Sequence, residues 1–462
     1  MYKFLLILFS GFSLVSCDKT RSHKANGTYI GGIIENPRSN YVILSFNETF
    51  LDSVALDKNN RFLYRNDTLK EGVYTFKHRE YQRFYIYPKD SLLFHVNTID
   101  FDESLKYSGI GAQKNNLLMQ LFLEDEKVQA KISDWFDLEP QKYLDKVDSV
   151  AVARKKLYQK YISKQYFSSK AFKNTVKVNL NYDGYLWREL YVSANLLEGN
   201  QNIKEELPKG FLKHRKEIDF GNDLKRSHYS YYRFMDNYFN NVAYDSYKNL
   251  DSFDRGNFEH TRAKMKAVKS LTHNEALRNK LLRGAATDYL LHSTNANKAE
   301  QLFDLFKKCS TKEEDISEIL HILDQTIKLI PGNEIPNVQI VGLDNQTRTL
   351  QSIIKKPTVI YFWTYESTKH YREVHEKAKD LREKYPEYNF IAINADDHFR
   401  KWKRIAETIS TDKHTEYQLD NLPSAKLVLI LDLPERTIIV DGQGKIINAN
   451  AAITDMAFED VL

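Results

Sequence analysis

The sequence predicts a multidomain α+β protein, in which an N-terminal antiparallel β-sandwich or barrel and a central α-helical region precede a C-terminal α/β layer. Three observations predict it. Short runs of alternating apolar and polar residues, split by turns, extend to about residue 112. Apolar residues then recur at helical spacing to about residue 330, and beyond a break at Pro331-Gly332 comes the continuous apolar run Thr358-Val-Ile-Tyr-Phe-Trp363.

The first 17 residues read as a leader. Met1-Tyr2-Lys3 is a cationic start, and Phe4 to Val15 is an apolar run too short to span a bilayer core, which needs roughly 20 apolar residues. The run ends in Leu14-Val15-Ser16-Cys17, which looks like the bacterial lipobox, with Cys17 as the lipidated residue. Residues 18–26 are polar and read as a tether. The remaining length, about 445 residues, exceeds what one hydrophobic core supports.

Residues 27–112 carry the β pattern, with strands at Tyr41–Phe46, Arg61–Tyr64, Gly72–Phe76 and Arg83–Tyr87, and turns at Asn59-Asn60 and Pro88-Lys-Asp-Ser. Residues 113–330 are poor in glycine and proline. Tyr143, Val147, Val150, Leu157 and Tyr161 keep a helical period there, as do Ile316, Ile319, Leu320, Leu323 and Ile327. The Tyr, Phe and Asn residues of this region read as helix packing rather than a binding surface. In residues 331–462, strands are expected at Thr358–Trp363, Asn389–Asn394, Leu427–Leu431 and Thr437–Val440, with helices after the first two. Asp441-Gly442-Gln-Gly444 turns a hairpin into Lys445–Ala449.

This last segment resembles the thioredoxin-like fold of the TlpA/ResA type found in exported bacterial proteins. The residues that carry the likeness are Ile335-Pro336-Asn-Val, Lys356-Pro-Thr-Val-Ile-Tyr-Phe-Trp363, Leu433-Pro434 and Val440-Asp-Gly-Gln-Gly-Lys445. Residues 27–112 are similar to the β-rich DUF4369 domain that precedes such thioredoxins in Bacteroidetes lipoproteins. Asp90-Ser-Leu and Asp102-Glu-Ser-Leu-Lys-Tyr-Ser-Gly109…Lys114-Asn-Asn116 are the matching phrases. The resemblance implies thiol–disulfide exchange through Cys-x-x-Cys at the start of the helix after the central strand, where the helix N-terminus lowers the first thiol's pKa. Here Ser367 and His370 occupy the two cysteine positions, and a hydroxyl cannot replace a redox thiol. The resemblance also makes Trp363, Tyr365 and Pro434 a polypeptide-binding groove.

Of two cysteines, lipidation takes Cys17 and leaves Cys309 in Phe306-Lys-Lys-Cys-Ser-Thr, which reads as a quiet thiol rather than a reactive one. Ser367 and His370, three residues apart, read as a helix N-cap and an exposed imidazole rather than a nucleophile and base, although Glu366 adjoins them. Asp396-Asp397-His398 reads as a loop and helix cap rather than a metal triplet. No zinc spacing, phosphate loop or Gly-x-Ser-x-Gly occurs, so no metal or cofactor is expected. A net charge of +5, from 67 basic and 62 acidic residues evenly scattered, argues against nucleic acid.

The expected protein is a lipid-anchored, extracytoplasmic lipoprotein of the cell envelope, more at home in the outer than the inner membrane. It carries a redox-inactive thioredoxin-like domain that binds or scaffolds polypeptides, and its membrane contact runs through Cys17. Two alternatives stay open at this point: an oxidoreductase acting through Cys309 or a partner's thiols, and a surface nutrient-capture or assembly factor.

Overall fold

The computed structural model describes residues 27–462 except 48, 79, 167, 222–227, 249–251, 366, 410–411 and 432–434. Cys17, Glu366 and Pro434 therefore lie outside the described residues. The chain forms two compact units, one holding residues 27–131 and 152–180, the other 132–151 and 181–462.

In the first unit, alternating side chains produce β1 (Tyr29–Glu35), β2 (Tyr41–Phe46), β3 (Thr49–Ala55), β4 (Arg61–Arg65), β5 (Gly72–His78), β6 (Glu80–Ile86), β7 (Ser91–Asn97) and β8 (Lys106–Ile110). They pair as two four-stranded sheets, β4-β1-β7-β8 and β3-β2-β5-β6. The result is a sandwich rather than a closed barrel, and β1 runs parallel to β7 within otherwise antiparallel sheets. Between those two strands the chain crosses to the other sheet twice, so β7 can return alongside β1 in the same direction. Ile30, Phe62, Phe94, Val42, Leu44, Phe76 and Phe84 fill the space between the sheets.

Helix α1 (Ala112–Gln129) is fastened to this sandwich by three consecutive residues. Lys114 donates to both oxygens of buried Asp90, at 3.0 and 2.7 Å. The Asn115 amide bonds the N–H and the carbonyl of Tyr85 on edge strand β6, at 2.6 and 2.9 Å. The Asn116 amide does the same to Tyr107 on edge strand β8, at 3.1 and 3.0 Å. Each amide completes hydrogen bonds that a neighbouring strand would otherwise supply.

Helices α2 (Pro140–Ser163) and α3 (Lys170–Leu197) each contribute to both units. The second unit continues with α4 (Tyr229–Asp245), α5 (Phe258–Leu271), α6 (Glu275–His292), α7 (Ala296–Cys309) and α8 (Glu313–Lys328). Its asparagines serve as caps: Asn257, Asn274 and Asn295 each accept a main-chain N–H at the start of α5, α6 and α7. Its aromatics are buried, among them Tyr143, Tyr191, Tyr231, Phe234 and Tyr244. At the centre sits Glu189, fully buried, accepting from His214 Nε2 at 2.7 Å, Arg215 Nη2 at 2.7 Å and Asn241 Nδ2 at 2.7 Å. Burial alone would raise this carboxyl's pKa. The Arg215 charge and the hydrogen bonds from His214 and Arg215 outweigh it, holding the group at about 2.

The C-terminal part forms one seven-stranded sheet of order β10-β9-β13-β12-β11-β14-β15. Its strands are β9 (Gln339–Gly342), β10 (Thr347–Thr349), β11 (Thr358–Trp363), β12 (Asn389–Asn394), β13 (Glu416–Leu419), β14 (Thr437–Val440) and β15 (Ile446–Ala451). Strands β11, β12 and β13 are parallel, joined by crossovers through α9 (Thr368–Lys384) and α10 (Phe399–Ile409). The β14–β15 hairpin adds antiparallel on the other side of β11. A βαβ crossover, a central strand and a terminal hairpin in this order make a thioredoxin-like layer, and the whole chain is a multidomain α+β protein.

Some details differ from the sequence reading, which did not include the short strands β9 and β10. Leu427–Leu431 is not a strand: α11 (Leu422–Leu429) ends there, capped by Asn421 with Pro423 in its first turn, and stops where Ile430 turns left-handed at φ 49°. An apolar run of five residues cannot by itself separate a buried strand from a buried helical turn. Strand β13, Glu-Tyr-Gln-Leu, was not foreseen because its polar residues hide its burial.

Helices and sheet join within this unit. Arg436, 3% exposed, donates to the Leu291 carbonyl at the end of α6 at 2.7 Å and to Asn450 Oδ1 at 2.9 Å. Gly332 and Asn333 pair with Ile446, which is why the chain breaks helix at Pro331.

The Glu189 pKa sets a pH dependence. Its folded value lies below the ordinary 4.5, so its stabilisation is complete above pH 4.5 and is lost as pH falls toward 2. Urea unfolding should show about 3 kcal/mol of stability disappearing across that window. In Glu189→Gln that pH-dependent loss should be absent, even though the variant is less stable at neutral pH.

Candidate functional site

All six residues of β11 are buried. Ile360 and Phe362 enter the core on one face, with Leu329, Ala425 and Leu429. Val359, Tyr361 and Trp363 enter the other, with Tyr371, Val374 and Ala378 of α9. β-Branched and aromatic side chains suit such a strand. Its C-terminal end leads through half-buried Thr364 and Tyr365 to exposed Ser367, at the carboxyl ends of the parallel strands.

A polar knot fixes this turn. Asp396, 8% exposed, accepts the Tyr365 N–H at 2.7 Å and Asn394 Nδ2 at 2.8 Å. Asn394 Nδ2 also reaches the Trp363 carbonyl at 3.3 Å, and Gln418 Nε2 joins Asn394 Oδ1 at 3.1 Å to the Asp396 carbonyl at 2.9 Å. The ends of β11, β12 and β13 are thereby tied together.

Ser367 is the N-cap of α9, its Oγ accepting the His370 N–H at 3.4 Å. The two cysteine positions of the resemblance thus sit at the N-cap and third residue of the helix after the central strand. Ser367 is exposed and His370 half-buried. The His370 imidazole makes no hydrogen bond among the described residues, and its Nε2 is enclosed. The serine hydroxyl serves the main chain, so the two do not form a nucleophile–base pair.

Tyr365 is half-buried, with Lys401 Nζ 3.7 Å above its ring. Trp363 is 1% exposed, its ring packed against Tyr371 and His375 beneath the turn. It supports the site from below rather than lining an accessible groove. Behind it, His375 Nδ1 faces the Tyr371 carbonyl at 2.6 Å and Nε2 faces buried Glu416 at 2.7 Å. An acceptor thus stands before each ring nitrogen.

Of Asp396-Asp397-His398, Asp396 belongs to the knot and His398 begins α10, its Nδ1 accepting the Lys401 N–H at 3.4 Å. No metal-binding group of His, Cys, Asp and Glu occurs among the described residues. From the sequence Asp396 reads only as part of a loop and helix cap, and Asn394 and Gln418 are not singled out. Asn394 is a polar residue at the end of a strand expected to be buried, whereas Gln418 lies in a strand that the sequence does not announce. Cys309 ends α7 at 4% exposure, and burial pushes its thiol pKa up, against a smaller opposing pull from Lys269, Lys266 and Arg278.

The chain resembles the crystallised thioredoxin domain of a thiol-disulfide oxidoreductase from Bacteroides vulgatus (17% identity, 29% of this chain and 99% of that one, TM-score 0.25). It also resembles a thiol:disulfide interchange protein from Bacteroides sp. (19% identity, 29% and 89%, TM-score 0.25). A thioredoxin-like protein from Bacteroides caccae aligns over more of the chain (11% identity, 60% and 92%, TM-score 0.36). No family model matches the sequence. No curated protein matches it either. The fold assignment rests on strand order and connections.

If the α9 N-terminus is a thioredoxin-type site lacking its thiols, restoring them should restore the chemistry. In Ser367→Cys/His370→Cys, made with Cys309→Ser, the thiol at position 367 should titrate below the ordinary value of about 8.5 and close a reversible disulfide. The pH dependence of iodoacetamide labelling measures it. Labelling that follows an ordinary thiol, with no disulfide formed, would contradict the geometry.

Proposed function

We propose that this protein is a lipid-anchored envelope lipoprotein whose thioredoxin-like domain binds polypeptide without exchanging disulfides. The observation that carries the reading is Ser367 as N-cap, with His370 at the third helical residue, on an otherwise complete central strand, knot and helix. The domain keeps an exposed turn at the carboxyl ends of its parallel strands, where open α/β sheets bind ligands. It has no sulfur there to react. Cys309, buried and of raised pKa, is a poor substitute nucleophile, which weighs against the oxidoreductase alternative.

The anchor is read from Leu14-Val15-Ser16-Cys17. Among the described residues no helix is long and apolar enough to cross a membrane. Acyl chains on Cys17 would hold the protein at the envelope, in this reading at the outer membrane.

Two measurements test the two halves. Incubated with dithiothreitol and insulin, the chain should not accelerate disulfide reduction above background, and Cys309→Ser should change nothing. Turnover that survives Cys309→Ser would end the redox-inactive reading. In cells fed radiolabelled palmitate, the protein should carry label that Cys17→Ala abolishes. An unlabelled wild-type chain would remove the anchor.

A further inference from the structure

The two sheets of the sandwich differ in what covers their outer faces. Over β3-β2-β5-β6, Tyr85 and Val73 lie beneath Leu117, Leu121, Tyr161, Phe172 and Val176 of the helices. Over β4-β1-β7-β8 most outward side chains remain exposed, with Tyr29 and Ser91 half-buried. Strand register arranges them in three rows. Arg65, Tyr29, Ser91 and Ile110 form the first, Leu63, Gly31, Leu93 and Ser108 the second, and Arg61, Ile33, His95 and Lys106 the third. Leu63 is 61% exposed, Ile110 52%, Leu93 44% and Ile33 37%. Branched apolar side chains standing this far out on a sheet that has an inner core of its own are a sign of an interaction surface.

Within the rows the charged side chains are basic, with carboxylates beside them: Asp57 accepts the Arg61 main-chain N–H at 2.9 Å. Arg65 is paired with Asp67 at 3.6 Å and His95 with Glu35 at 2.9 Å. Arg61 and Lys106, at the two ends of the third row, make no ion pair within 4 Å among the described residues. An apolar centre with cationic corners fits a lipid surface carrying anionic headgroups, where leucyl and isoleucyl side chains enter the interface and Arg and Lys meet phosphate.

Chain connectivity lets that surface reach this face. Gly27 follows Cys17 by ten positions, a reach of roughly 35 Å when fully extended. The chain enters β1 at Tyr29, in the first row, and the third row lies only about 14 Å further along the strand. We infer that the outer face of β4-β1-β7-β8 docks on the anionic phospholipid surface to which Cys17 is anchored, holding the sandwich against the membrane. This inference rests on the lipid anchor proposed above.

The test separates the two. The chain from Asp18 onward, with Cys309→Ser and an N-terminal histidine tag, is held on vesicles by a nickel-chelating lipid that stands in for acylation. An environment-sensitive fluorophore is attached at position 93 through Leu93→Cys or, as a control on the other sheet, at position 81 through Tyr81→Cys. On phosphatidylglycerol–phosphatidylethanolamine vesicles, emission at 93 should rise severalfold and shift to the blue while 81 stays unchanged. Vesicles of phosphatidylcholine alone should give a smaller response at 93. Arg61→Glu/Lys106→Glu should abolish the response and Leu63→Asp should lower it, with the thermal unfolding midpoint unchanged because these side chains are exposed. Equal responses at 93 and 81, or none at 93, overturn the docking face whether or not Cys17 is acylated. A concentration-dependent response at 93 without vesicles assigns the face to a second copy of the chain and also overturns it. Absence of palmitate on Cys17 removes the anchor, and the nickel-held chain still reports whether the face binds lipid.

Discussion

A strand buried along its whole length must be covered on both faces and paired at both edges, and β11 imposes that condition on the C-terminal part of the chain. Its parallel neighbour β12 can be reached only by a crossover, which places α9 over Val359, Tyr361 and Trp363. The opposite face, Ile360 and Phe362, needs a second layer, supplied by α11, Leu329 and the contact with Leu291. The end of α9 nearest the turn must then have its free N–H groups satisfied, and Ser367 satisfies one. The site is thus a consequence of the strand: the cap, the turn and the knot from Asn394, Asp396 and Gln418 lie at the C-terminal end of β11.

That constraint also explains how a thioredoxin-type layer persists without thiols. In the fold, the residue at the N-cap has a structural duty apart from any chemistry, and serine meets it well. What a serine there cannot do is become a thiolate. Beside the cap, His370 Nε2 is enclosed and without a hydrogen bond among the described residues, and Lys401 lies over the Tyr365 ring.

Much of this was legible in the sequence where one physical pattern dominated. Tyr41–Phe46, Thr358–Trp363, Asn389–Asn394, Thr437–Val440 and Phe399–Ile409 stand in the structure with the bounds that alternation, continuous apolarity or helical period gave them. The reading lost ground where two patterns competed. Leu427–Leu431 has the composition of a strand but follows an Asn421 cap and Pro423, and local capping prevailed. Polarity concealed β13, although Glu416 and Gln418 are buried because each finds a polar partner, His375 or the Asn394–Asp396 knot. Lys114-Asn-Asn116 was noticed only as a familiar phrase. Its purpose, closing two sheet edges and neutralising Asp90, depends on strands far off in sequence and could not be read from spacing. At the site, the places of Ser367 and His370 followed from counting beyond Trp363, whereas the burial of Trp363 as a support came from the packing of α9.

The central claim is that the turn from β11 into α9 receives polypeptide. Site-specific photo-crosslinking tests it most directly, with p-benzoylphenylalanine at position 365 and, as a control, at exposed Lys379 on α9. Reduced, carboxymethylated α-lactalbumin serves as the unfolded probe. The account predicts crosslinks from 365 that excess unlabelled probe competes away, and none from 379. No crosslink at 365, or equal crosslinking from both positions, would contradict it.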